Sequence, residues 1–203
     1  MGLSTSLSRP SANVTGVVSN VFVIAAKRIQ VIREVRRDAR HVALLIPHRY
    51  WQYTGSMERM YQQQGVRLTC LCVLSPVQEP AYRQAFTNLD HDRPDFINVA
   101  FEIENATYRE LIVGLVNEAR IPALYLHRHF VELGGLMSYG WDCDELFRHA
   151  ARQMGEVLRG SPVSEVPFYQ PTKLELAINL RTAKGIGLDI PSSILARADV
   201  VIE

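Results

Sequence analysis

Short, wholly apolar runs alternate along this chain with longer stretches whose apolar residues recur every three or four positions. The first periodic stretch is Val21–Arg37, where Ala25, Ile29 and Ile32 form one stripe flanked by Val31 and Val35; that spacing predicts a helix. His41–Ile46 is a continuous apolar run closed by Pro47, the pattern of a strand buried on both faces. Further strands are expected over Val66–Val73, Asp95–Phe101 and Ile121–Leu126. Helices are expected over Ser56–Gln64 and Pro80–Leu89, and from the N-cap Asn105 through Val116. Strands separated by helices of this length make βαβ units, so the fold class is α/β, a parallel sheet with helices on both faces. In such sheets ligands sit beyond the carboxyl ends of the strands, which draws attention to the loops beginning at Pro47, Phe101 and Leu126.

The pattern changes at Val131–Gly140, VELGGLMSYG. Gly134 and Gly135 break the chain, Leu136–Tyr139 reads as a short strand, and Asp142 is placed to cap the next helix. That helix, Asp142–Arg159, carries Leu146, Phe147, Ala150, Ala151, Met154, Val157 and Leu158 on one broad face. After it come an extended segment with three prolines, a strand at Leu174–Leu180, a short helix at Thr182–Gly187 and a last turn at Pro191–Ala198. The stretch therefore reads as a crossover, where the chain leaves one layered unit for another beside a ligand cleft. The expected divisions are an N-terminal loop over 1–20, an α/β ligand-binding lobe over 21–126, a crossover with its helix over 127–172, and a returning strand with C-terminal helices over 173–203.

Composition narrows the function. Hydrophobic residues are 47% of the 203 and charged residues 21%, an ordinary globular balance that argues against disorder. The formal net charge of +1 gives no reason to expect nucleic acid as a partner. The arginines 33, 36, 37 and 40 read as a solvated helix face. Of the three cysteines, Cys70 and Cys72 point the same way on a strand and Cys143 lies far from them; all are expected as free thiols. No apolar run is long enough to span a bilayer, and MGLSTSLSRPSANVTG carries no export signal, so the chain as written reads as cytoplasmic.

Three separated motifs then become recognisable in order: SLSRPSANVTG near the start, GGLMSYG, and QPTKLELAINLRTAKGIGLDIPSSILARADVVIE at the end. Together they resemble the ABC transporter substrate-binding proteins of the type I periplasmic-binding fold, whose characterised members bind aromatic amino acids. The resemblance implies a two-lobed clamp that closes on a small solute, a permease as partner, and a periplasmic place of work. It also implies that this chain is N-terminally truncated, since most of a first lobe would precede the SLSRP segment. The helix Asp142–Arg159 would then lack its partner, and the chain alone would bind its solute weakly or not at all.

Candidate ligand-binding residues follow from the strand-end loops. His48, Tyr50 and Tyr53 lie where the family carries a small polar motif; two readings stand, aromatic stacking on a planar ligand and a plain surface loop. Glu102 matches a family acid and is the candidate for a ligand ammonium, while Ser138 and Tyr139 would offer donors to a carboxylate. His127 and His129, with Glu132, supply at most three ligands, so no metal and no cofactor is expected. There is no nucleophile elbow, phosphate-binding glycine loop or HExxH, and an enzyme is not supported. The rival reading is a cytoplasmic ligand-sensing module that forms a homodimer through the exposed helix face.

Overall fold

The computed structural model describes residues 6–10, 13–18, 21–87, 89 and 91–203, with the backbone alone for 21–23. Part of the N-terminal loop expected over 1–20, and Asn88 in the helix expected over Pro80–Leu89, fall outside them. The chain divides into two compact units: unit 1 takes residues up to Val21 together with Trp141–Leu174, and unit 2 takes Phe22–Gly140 with Glu175–Glu203. The chain thus leaves unit 2 at Gly140, the end of the stretch read as a crossover, and re-enters it at Glu175.

Unit 2 is built on one seven-stranded sheet. Its strands are β1 (His41–Pro47), β2 (Arg67–Val73), β3 (Phe96–Val99), β4 (Ala123–Tyr125), β5 (Met137–Gly140), β6 (Glu175–Asn179) and β7 (Val200–Ile202), in the order β2-β1-β3-β4-β5-β6-β7. Every neighbouring pair is parallel except β5 with β6. The sheet is thus mostly parallel, and the returning strand runs back against β5, with Met137 opposite Ile178 and Gly140 opposite Glu175. β7 carries two adjacent valines and an isoleucine but is only three residues long.

Helices cover both faces. On one, α1 (Val21–Val35) buries Ile29, Val31, Ile32 and Val35 beside Tyr61 of α3 (Gly55–Gln63) and the β-strand residues Val42, Phe96, Leu124 and Met137. On the other, α4 (Glu79–Thr87) and α6 (Arg109–Ala119) pack Tyr82, Ile112, Val113 and Val116 against Leu45, Ile97, Val99 and Ala123. β1 is buried at all seven positions, as a continuous apolar run between two helix layers requires. Between these elements lie three short helices, α2 (His48–Trp51), α5 (Ile103–Thr107) and α7 (Arg128–Glu132). Asn105 lies inside α5 rather than capping a helix. Its amide donates to Leu45 O at 3.2 Å and Ala100 O at 3.0 Å, and its oxygen accepts from the Tyr82 hydroxyl at 2.8 Å. A buried amide gains more from filling those three partners than from one cap.

Two cysteines also differ from expectation. Cys70 and Cys72, on the same side of β2, are joined as a disulfide. Cys143 is not in the disulfide, and its thiol is pushed up to about 11 by burial and by the nearby Asp144 and Asp142 carboxylates.

At the amino end of the sheet, buried His41 sits among charges. Its Nδ1 accepts from Arg67 at 3.1 Å, which leaves Nε2–H to donate to Thr69 Oγ1 at 2.7 Å. Burial, then the Arg67 charge, lowers the imidazole pKa, against the opposing pull of Asp92, the Arg93 backbone and Asp95. His41 is therefore neutral in the folded protein at a pH where the unfolded chain, titrating near 6.5, already takes up a proton. The stabilisation is complete above about 6.5 and is lost as pH falls through the lowered folded value. Urea unfolding between pH 8 and pH 5 should show this decline, and His41→Gln should flatten it; an unchanged slope in the variant would remove His41 as its source.

Unit 1 joins two distant pieces of chain. Val17 bridges to Tyr169, with Val18 N donating to Tyr169 O at 2.8 Å and Tyr169 N to Gly16 O at 2.9 Å. Against them lies α8 (Cys143–Leu158), capped by Asp142, whose carboxylate accepts from Asp144 N and Glu145 N. Gln153 is the buried polar link, donating to Gly16 O at 3.1 Å and Pro167 O at 2.7 Å, and His149 stacks on Tyr169 at 3.5 Å. Phe147, Met154 and Leu158 of the same helix are 73%, 64% and 80% exposed, so much of its apolar face is open.

Candidate functional site

β1 connects onward to β2 on one side, while β3 lies on its other side. This is where the strand order reverses, and in sheets of this kind ligands sit between the loops that leave the carboxyl ends of such a strand pair. α2 leaves β1 and carries His48, Arg49 and Tyr50; the β3 exit carries Phe101, Glu102 and Glu104.

An ion pair spans the reversal: Arg49 of α2 meets one carboxylate oxygen of Glu104 in α5. The Arg49 guanidinium also lies 4.7 Å from the Tyr50 ring centre and donates to its hydroxyl at 3.3 Å. The second Glu104 oxygen is buried without a hydrogen-bond partner among the described residues. Glu102 is half-buried, which raises its carboxyl pKa, with Arg49 acting in the opposite direction. Two acids thus face one arginine, an excess of negative charge suited to a cationic group. Beside them Phe101, 49% exposed, packs edge-on to His127 at 4.9 Å. Ile103, Tyr53 and Leu74 are exposed as well, and all leave carboxyl ends of strands.

The nominated residues are placed as follows. His48, Tyr50 and Glu102 lie on the two loops that Arg49 and Glu104 tie together; Tyr53 follows α2 and is 73% exposed. Ser138, expected to offer its hydroxyl to the cleft, is 2% exposed inside β5, paired with Tyr125 and Ala177. Tyr139 packs its ring on the α1 side of the sheet, and burial raises its phenol, with Arg197, Asp199 and Glu34 also acting on it. Its backbone carbonyl accepts from Arg28 at 3.2 Å. His127 precedes α7 and His129 lies within it, so the two do not share an extended face. No group of three potential metal ligands occurs among the described residues.

Arg28, which the sequence pattern did not single out, lies beneath the strand ends. It is 4% exposed, and its Nε and one terminal nitrogen both donate to Asn98 Oδ1. The terminal nitrogens reach Leu124 O at 2.7 Å, Tyr125 O at 2.9 Å, Tyr139 O at 3.2 Å and Val99 O at 3.3 Å. Asn98 in turn donates to the Tyr61 hydroxyl at 2.7 Å. One guanidinium therefore fastens the carboxyl ends of β3, β4 and β5. Burial lowers its pKa to about 10, with Tyr61 partly offsetting this, so it remains charged at neutral pH. Charged Arg28 was legible as an interruption of the Ile24, Val31 and Val35 stripe on α1.

A family model described as ABC transporter substrate binding protein matches residues 1–202. No curated protein matches the chain. Among solved structures, a conserved domain protein from Vibrio cholerae superposes with a TM-score of 0.83 at 20% identity, over 98% of this chain and 66% of that one. An ABC domain in complex with L-Trp from Streptococcus pneumoniae gives 0.81 at 21% identity, over 99% and 69%. A ligand-free, open substrate-binding protein with adhesive properties from Clostridium difficile gives 0.67 at 18%, over 99% and 66%. The chain spans about two thirds of the length of these solved chains.

Proposed function

The chain belongs to the ABC transporter substrate-binding protein family, and from that premise we propose that it is the solute-binding component of an ABC-type importer. It takes an amino acid at the carboxyl edge of unit 2 and delivers it to a permease outside the cytoplasmic membrane. The observation that carries this reading is the cluster at the strand reversal, where Glu102, Glu104 and Arg49 adjoin the exposed Phe101 ring and His127. An acid excess suits an ammonium, and an exposed ring beside a buried imidazole suits a planar side chain. Binding is reversible and no covalent step is assigned to any residue.

L-tryptophan, bound by the Streptococcus pneumoniae protein, is the first solute to try. With two thirds of a binding protein's length, the affinity is expected to be weak, on the order of 1 mM. In a two-dimensional NMR titration, the amides of Phe101–Glu104 and His127 should shift saturably, and Phe101→Ala should weaken binding about tenfold. Absence of saturable shifts for every aromatic amino acid, beside a response to an unrelated sugar, would replace this reading with another solute class.

A second reading, a ligand-sensing module that dimerises through α8, is favoured by the open face of Phe147, Met154 and Leu158. Light scattering separates the two, a stable dimer dissociated by Phe147→Glu supporting the module.

A further inference from the structure

We propose that Arg28 is a specificity-determining positioning residue: its buried, uncompensated positive charge makes the carboxyl edge of β3, β4 and β5 select solutes that carry a carboxylate. The inference rests on the proposed function and adds to it the feature that distinguishes an acid from its neutral analogue.

Buried arginines are ordinarily paired with a carboxylate, because an unpaired charge in the interior is strongly unfavourable. Arg28 has no such partner among the described residues. Its donors go to four backbone carbonyls and the Asn98 amide oxygen, which are dipoles without net charge. The titratable group that acts on it is the Tyr61 phenol, pushed up to about 12 by burial and hence neutral at physiological pH. The unit charge is therefore left uncancelled at the strand ends.

Its position matters as much as its sign. Val99 and Tyr125, whose carbonyls it binds, stand two residues before Phe101 and His127, the ring pair at the candidate site. The guanidinium uses its N–H groups on the sheet, so it acts on a solute through its field rather than by contact. In a poorly hydrated interior such a field is weakly screened, and about tenfold discrimination between a carboxylate and an amide is a modest demand on it. The acid excess of Glu102 and Glu104 lies on the β3 exit loop, while Arg28 lies beneath the strand ends, bonded to Val99 O of β3 at 3.3 Å and to Tyr139 O of β5 at 3.2 Å. The row thus carries both signs of charge, acids on the β3 exit loop and a buried guanidinium beneath β3 to β5, as the two charged groups of a zwitterion require.

The test compares L-tryptophan with L-tryptophanamide, which differ in that carboxylate alone, on the full chain by NMR titration. The wild type should favour the acid about tenfold. Asn98→Asp is the informative variant. It keeps the oxygen that accepts from Arg28, lets Tyr61 donate in place of accepting, and supplies the missing counter-charge with almost no change of shape. Its acid-to-amide ratio should fall at least fivefold, while Arg28→Lys, which keeps the charge, should retain the ratio even if less stable. A wild type that binds amide and acid equally, or an Asn98→Asp ratio equal to the wild type's, overturns the inference and leaves the proposed function standing. Failure of the wild type to bind either compound overturns the function and the inference with it.

Discussion

Gly140→Ala is expected to lower the melting temperature of the protein by roughly 10 °C. A Cβ built at Gly140 would lie 2.0 Å from Leu126 O, 2.8 Å from its Cδ1 and 3.0 Å from its carbonyl carbon. Two of those three atoms are backbone, so no rotamer change relieves the contact. β5 would have to move away from the end of β4, where Leu124 pairs with Met137 and Tyr125 with Ser138. Forcing a methyl into so tight a place costs about 3 kcal/mol, and in a chain of this size each kcal/mol moves the midpoint by about 2–4 °C. Gly160→Ala is the control for site, since no atom lies within 4 Å of a Cβ there, although its φ of +101° adds backbone strain. A Gly140→Ala protein that melts with the wild type would show that β5 is free to shift at this point.

Arg28→Met should destabilise unit 2 by about 3 kcal/mol, read from urea unfolding. The substitution leaves the carbonyls of Val99, Leu124, Tyr125 and Tyr139 and the Asn98 oxygen without their donor. Each orphaned acceptor costs about 1–3 kcal/mol if it stays dry. Part is recovered because a buried charge has been removed and because water can reach strand ends. Arg28→Lys should be nearly as harmful, since a single ammonium cannot reach acceptors spread over three strands. If Arg28→Met unfolds like the wild type, the fan of bonds contributes no net stability.

Much of the fold was readable because its signals are local. The all-buried run of β1, the stripe on α1 and the Asp142 cap each follow from spacing and residue type within a few positions. What escaped depended on partners far away in sequence. Asn105 looked like a helix start until Tyr82 and the carbonyls of Leu45 and Ala100 claimed its amide. The turn at His48–Trp51 and the helix at Arg128–Glu132 are too short for periodicity to register. At the candidate site, His48 and Tyr50 were nominated from the rule that ligands gather beyond strand ends, and Glu102 from its match to a family acid. Arg49 and Glu104, their charged companions, were not, because neither residue alone reveals a pairing across two loops. The burial of Ser138 was not legible either, because it depends on the layers packed over β5 rather than on residues near it in the chain.

The split course of the chain also sets an order of assembly. Unit 2 draws its first five strands from one unbroken stretch, so each can pair as it emerges during synthesis. Unit 1 cannot begin its pairing until much later, because Thr15 waits for Val166, 151 positions away. Closing a free loop of that length costs about 4 kcal/mol in chain entropy. Once unit 2 has formed, Phe22 and Gly140 are held within one body, and the remaining closure involves only short tethers. The crossover glycine therefore governs timing as well as shape: the strand it terminates must be seated before the two ends of unit 1 can meet.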